Sequence, residues 1–148
     1  MSDISFKRTG ASSGAPRGEL RIGAQSWPTI ERGGGYTWVR QGTYNLKMDI
    51  KRTHRHVQCL RFDHDGVRTH LIHDALNDDH HTLEGCIAPG SKSTDAGISG
   101  SAQAMQSVFL ALGGFVDGKV VTITVENNIE GSETGQEWLR RRKVEGKY

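Results

Sequence analysis

The sequence predicts one β-rich α+β domain, a mixed sheet or barrel of short strands with a single main helix after its cysteine-bearing segment. Period-two alternation recurs in short runs separated by glycine-rich turns. It is strictest over residues 43–50, where Tyr44, Leu46, Met48 and Ile50 share one face. Only one segment carries apolar residues at helical spacing (Ala102, Met105, Val108, Phe109 and Leu112), and it stops at Gly113-Gly114. Nineteen glycines and 34% hydrophobic residues in a chain of 148 leave a modest core, enough for one domain and not for two.

In chain order, residues 4–8 and 19–22 read as strands, and 9–18, rich in Gly, Ala and Ser, as a flexible loop between them. Residues 27–31 form a third extended piece, closed by Arg32-Gly33-Gly34-Gly35. Residues 36–40 lead into a turn at Gln41-Gly42 and then the alternating strand. The segments 57–62 and 67–73 flank Asp63-His64-Asp65-Gly66, whose Asp-Gly pair signals a hairpin. That places His73 at a strand end, facing the same way as Leu71 and Thr69. Residues 89–97 read as a loop. The helix spans 101–112, with Ser99 or Ser101 as its N-cap, and should pack beneath the cysteine segment. A last strand covers 119–125. The domain is expected to occupy 1–128, and 129–148 to be a basic C-terminal tail.

Charge and hydropathy exclude several classes of partner. A net charge of +2 is too weak to signal nucleic acid. The run Arg140-Arg141-Arg142-Lys143, beside Trp138, is nearly cancelled by Glu130, Glu133, Glu137 and Glu145, so it reads as a solvated tail. No apolar run approaches the ~18 residues of a membrane span, and the first residues lack the apolar stretch of a cleavable signal. The chain is therefore expected to be made in a reducing compartment, the cytoplasm, to have no membrane partner, and to keep Cys59 and Cys86 reduced.

The chemistry is concentrated between Ile72 and Gly90, where an imidazole, a polar loop and a glycine-flanked thiol follow one another. A thiol attacks a carbonyl carbon as thiolate, so a nucleophilic cysteine needs a nearby base. Cys86 is the candidate nucleophile and His73 its base, with His80 or His81 as the alternative base. Gly85 leaves the backbone open to a substrate, and the amides of Gly85 and Cys86 are candidate oxyanion donors. The competing reading makes Cys86 a buried structural thiol, the role assigned to Cys59 inside its strand. His70, His73, His80, His81, Asp78, Asp79 and Cys86 also invite a zinc reading. Residues three apart on a strand face opposite ways, however, so His70 and His73 do not converge, and no metal or other cofactor is expected.

Three patches resemble a family common in bacteriophages and prophages that is related to the L,D-transpeptidase catalytic domain. They are Gly18-Glu19-Leu20 followed by Pro28-Thr29-Ile30-Glu31, then Arg40-Gln41-Gly42-Thr43-Tyr44, then Ile72-His73 through Asn77 to Thr82-Leu83-Glu84-Gly85-Cys86-Ile87. The resemblance covers roughly residues 4–125 and implies an L,D-transpeptidase-like fold. It also implies a phage or prophage cysteine peptidase or transpeptidase acting on peptidoglycan stem peptides. Cys86 would attack, His73 would serve as base, and Thr82, Glu84 and Asn77 would contact substrate. Such a protein reaches the wall by phage delivery or release, or within a virion. Two positions depart from the transpeptidase pattern: Glu84 stands where that family has histidine, and Ala88 where it has arginine or asparagine. The spacer from His73 to Cys86 is also shorter. These departures favour the alternative, a non-catalytic phage structural or accessory protein that keeps the fold and self-assembles or associates with a virion.

Overall fold

The structure, a computed structural model, describes residues 2–12, 15–32, 39, 41–52, 56–62, 71–79, 83, 86–95 and 97–127. Eight strands close into a barrel: β1 (Ile4–Ser12), β2 (Ala15–Ile22), β3 (Gln25–Glu31), β4 (Gly42–Arg52), β5 (His56–Phe62), β6 (Leu71–Ile72), β7 (Ile87–Pro89) and β10 (Val120–Asn127). Around the barrel they run β1, β10, β4, β5, β6, β7, β3, β2. Two seams are parallel, β1 with β10 and β6 with β7, and the other pairings are antiparallel. A separate hairpin joins β8 (Lys92–Ser93) to β9 (Ile98–Ser99), and the helix α1 (Ser101–Ala111) follows it. The β-rich class, with one α-helix among the described residues, matches the sequence expectation. The segment 36–40 that leads into the Gln41-Gly42 turn, the hairpin at 63–66, residues 67–70 and the tail beyond 127 lie outside the described residues, apart from Val39, which is buried.

Alternation builds the barrel interior. Along β1, Ile4, Phe6 and Arg8 are buried while Ser5 and Lys7 are exposed, and along β4, Leu46 and Met48 are buried between exposed Thr43, Asn45 and Lys47. The inward side chains pack into one cluster with Leu20, Leu60, Ile72, Ile87, Ile123 and the buried face of α1. Burying Met105, Val108 and Phe109 in it stabilises the fold by about 1.5–3 kcal/mol per side chain. That face is Ser101, Ala104, Met105, Val108 and Phe109, whereas Ala102, expected in the stripe, is exposed and Leu112 is half-buried. The C-terminal side of the helix turned out as expected. Its start did not. Neither Ser99 nor Ser101 caps it through its side chain. Gly100 precedes the first turn in a left-handed conformation (φ 66°), and the Asp78 carboxylate accepts from the Ser101 amide (2.8 Å) and the Gly100 amide (3.2 Å). A cap supplied from 23 residues upstream leaves no local signature.

The loop expected over 9–18 is largely strand. A register shift between Arg8 and Gly10 bulges the pairing, and β1 and β2 continue past it to Ser12 and Ala15. Gly18 lies in register with Arg8 on one side and Thr29 on the other. A Cβ there would sit 2.5 Å from the Lys7 carbonyl oxygen, so only glycine fits. The bare backbone lets the Arg8 side chain cross β2 and reach Glu31 on β3 with two bonds, Nε to Oε1 at 2.8 Å and Nη2 to Oε2 at 3.0 Å. Both side chains are buried, and the guanidinium also lies over the Phe6 ring, 5.2 Å from its centroid.

Removing one partner from this pair strands a charge in the barrel. Glu31→Gln is expected to cost about 3–5 kcal/mol, and the double change Arg8→Met with Glu31→Leu to recover most of that loss. Urea denaturation of the three proteins checks it.

Candidate active site

The β6–β7 seam decides which way the candidate residues face. Ile72 and Ile87 are register partners, and both point into the barrel. Alternation therefore turns their neighbours outward: Leu71 and His73 from β6, Cys86 and Ala88 from β7. A second buried cluster lies on that outer face, formed by Leu71, Cys86 and Ala88 with Cys59, Ile30 and Ile98 among others. The β8–β9 hairpin helps to cover it. Ile98 packs against Gly90, where a Cβ would meet the Ile98 Cβ at 2.5 Å. Arg17 holds the hairpin by donating to the carbonyls of Gly97 (2.6 Å) and Thr94 (2.7 Å).

His73 leaves β6 with its amide donating to the Ile87 carbonyl at 3.1 Å, which extends the ladder by one bond. Cys86 sits one residue before Ile87. The two residues thus flank the seam on one face, two steps apart along it, and strand geometry puts their Cα atoms roughly 8 Å apart. The His73 Nδ1 lies 2.7 Å from the Asp74 carbonyl oxygen. A carbonyl oxygen only accepts, so Nδ1 carries a proton, and in the neutral ring the lone pair belongs to Nε2. That tautomer is the one a base acting through Nε2 requires. Cys86 is 5% exposed and His73 3%.

The remaining candidates divide. Gly85, Glu84 and Thr82 lie outside the described residues, as do His70, His80 and His81, while Leu83 is buried in the outer cluster. Asn77 is exposed, at φ 54° in a tight turn over Leu76–Asp78 that follows His73. It lines an open depression of about 340 Å³ with Asp74, Asp78 and the start of α1, which includes neither Cys86 nor His73. A second depression of about 370 Å³, between β5 and α1, shares Asp74 and Ala102 with the first. Among the described residues, no group of three or more His, Cys, Asp or Glu side chains gathers to hold a metal ion. None of the described helices is long and apolar enough to cross a membrane.

Cys59 was assigned to the core, and it is fully buried, yet it belongs to the same outer cluster as Cys86. Leu60 pairs with Ile72, so the next step of that ladder sets Cys59 across from His73 on the other side of β6. Neither cysteine is in a disulfide. Two strand spacings, roughly 10 Å, separate their backbones, beyond the reach of a disulfide. Sequence reasoning also missed Ser101 as part of the site. Its hydroxyl is completely buried, donates to the Pro89 carbonyl (2.7 Å) and accepts from the Ala75 amide (2.9 Å). Ser101 had been weighed only as a helix cap, and its partners lie 12 and 26 residues away.

No family model, no curated protein and no solved structure matches the chain.

The two thiols share a cluster and a histidine neighbour, so their reactivities tell the roles apart. At pH 6.5 an ordinary thiol with a pKa of about 8.5 is only about 1% ionised. Cys86 is expected to react with iodoacetamide about tenfold or more faster than Cys59 at that pH, and His73→Ala to abolish the difference. Peptide mapping of the labelled protein measures both rates. Equal labelling that His73→Ala leaves unchanged would make Cys86 a structural thiol.

Proposed function

We propose that the chain is a phage or prophage cysteine enzyme that cleaves or exchanges peptide bonds in peptidoglycan stem peptides, with Cys86 as nucleophile and His73 as base. The observation that carries this reading is the His73 Nδ1 bond to the Asp74 carbonyl, on the face of the seam that also bears Cys86. Nε2 takes the thiol proton, and the thiolate attacks the peptide carbonyl carbon. The resulting oxyanion is stabilised by backbone amides, for which those of Gly85 and Cys86 are the candidates. The intermediate collapses to a thioester as the C–N bond breaks, and the imidazolium returns its proton to the departing amine. Water then releases an acid, or a second amine forms a new peptide bond. The first outcome is a peptidase and the second a transpeptidase.

The deep burial of both side chains favours a second reading, in which the fold serves as a phage structural or accessory component without chemistry. Incubation with purified muropeptides, followed by mass spectrometry of the products, separates the two. The enzyme reading expects cleaved or cross-linked muropeptides from the native chain and none from Cys86→Ala. No product from the native chain across pH 5–9 under reducing conditions, with assembly into large particles in light scattering, would support the structural reading instead.

A further inference from the structure

The hydrogen bonds around His73 continue past the Asp74 carbonyl. That oxygen and the Ala75 amide nitrogen belong to one peptide unit. Its oxygen accepts from His73 Nδ1 at 2.7 Å, and its N–H donates to the Ser101 hydroxyl at 2.9 Å. The same hydroxyl donates to the carbonyl of Pro89, the last residue of β7, at 2.7 Å. Ser101 therefore ties the peptide that orients the imidazole to the strand that begins beside the candidate nucleophile. The segment it holds is strained. Asn77 and Asp78, two successive non-glycine residues, both adopt positive φ (54° and 59°). Such conformations persist only where the surroundings over-determine them, and they concentrate at functional sites. Here the Asp78 carboxylate binds the first amides of α1, so the turn is held at its far end as well.

We infer that Ser101 is a positioning residue for His73, acting through the Asp74–Ala75 peptide. With the hydroxyl in place, the peptide plane is fixed and its carbonyl faces Nδ1, so the imidazole keeps one tautomer. Its Nε2 is then held ready to take a proton. Bonds in such a chain polarise one another, so donation from Ala75 to Ser101 strengthens the acceptor that His73 uses. Loss of the hydroxyl leaves the Ala75 N–H and the Pro89 carbonyl without this partner and frees the plane to rotate. The inference rests on the reading of His73 as a base, and its test separates the two.

The test compares the native chain with Ser101→Ala and Asp78→Ala, reading the His73 tautomer from the ¹⁵N shifts of its ring and the Cys86 alkylation rate against pH. Partners that orient a metal-bound histidine from behind typically change activity about 10–100-fold, and an effect of the same order is expected for His73. Ser101→Ala is expected to turn the Nδ1–H form into a tautomer mixture. It is also expected to slow alkylation at pH 6.5 about tenfold and to move its midpoint toward that of an ordinary thiol. Asp78→Ala removes two helix-cap bonds at the same junction, so it should lower the melting temperature while leaving the tautomer in place. An unchanged tautomer in Ser101→Ala, or an equal change in both variants, would overturn the inference. If Cys86 of the native chain alkylates as an ordinary thiol, the enzyme reading fails, and the tautomer measurement still decides the role of Ser101. Should Ser101→Ala not fold, the native chain carries the test: the Ala75 amide proton is expected to shift with the His73 titration, and an amide that stays put through it would overturn the inference.

Discussion

The β6–β7 seam is the constraint on which the rest of the structure depends. Two described residues of β6 and three of β7 close the barrel there, through one register pair, Ile72 with Ile87, and the bond from the His73 amide to the Ile87 carbonyl. Parallel pairing is slightly weaker per residue than antiparallel pairing, so so short a seam does not hold by its ladder alone. It holds because both of its faces are buried. The interior cluster, including Met105 and Val108 of α1, covers one side, and the outer cluster with Ile30 and Ile98 covers the other. Parallel strands are found almost only in such two-sided burial, and every described residue of β6 and β7 is buried. The same arrangement shields His73 and Cys86 from water, where polar interactions gain strength.

Two polar devices lock the regions on either side of this seam. Inside, the Arg8–Glu31 pair joins β1 to β3 across the bare Gly18 backbone, and Glu31 is itself the register partner of Ile87. A buried ion pair is weak evidence for net stability, but its two-pronged geometry penalises any slip of β3 against β1, because a one-residue shift would leave both charges unmatched. At the end of β7, the Ser101 hydroxyl and the Asp78 carboxylate gather the start of α1, the Pro89 carbonyl and the segment after His73 into one junction. One device holds β3, the neighbour of β7. The other holds the exit from β6.

Legibility in the sequence followed the number of buried faces. The strand at 42–52 could be read because one side is wet, so Thr43, Asn45 and Lys47 alternate with Leu46 and Met48. The strand β7 could not, because Ile87-Ala88-Pro89 is dry on both sides and too short to show a period. The hairpin of β1 and β2 was hidden by its composition, since glycine, alanine and serine read as loop unless the crossing of Arg8 over Gly18 is known. Of the candidate site, His73 and Cys86 could be named from residue type and neighbours, and alternation put His73 on the same face as Leu71, while only the closed barrel makes that face the outer one. The long-range bonds behind the segment after His73 could not be read. Asp78 was weighed as a metal ligand and Ser101 as a cap, while each acts across a sequence separation of 12 to 26 residues. Bonds of that kind leave no spacing rule behind. The placement of Cys59 in the same cluster as Cys86 was also invisible, because only the closed barrel sets β5 and β7 on either side of β6.

The most direct test of the seam is amide hydrogen exchange at His73, followed by NMR in the native chain. If β6 and β7 pair in parallel as described, the His73 amide is bonded to the Ile87 carbonyl and buried. It should then exchange only through large-scale opening of the barrel, as slowly as amides in the centre of β4 and β5. Exchange of the His73 amide at the rate of an unstructured chain, while β4 and β5 stay protected, would show that the barrel is open at this seam and that nothing holds His73 beside Cys86.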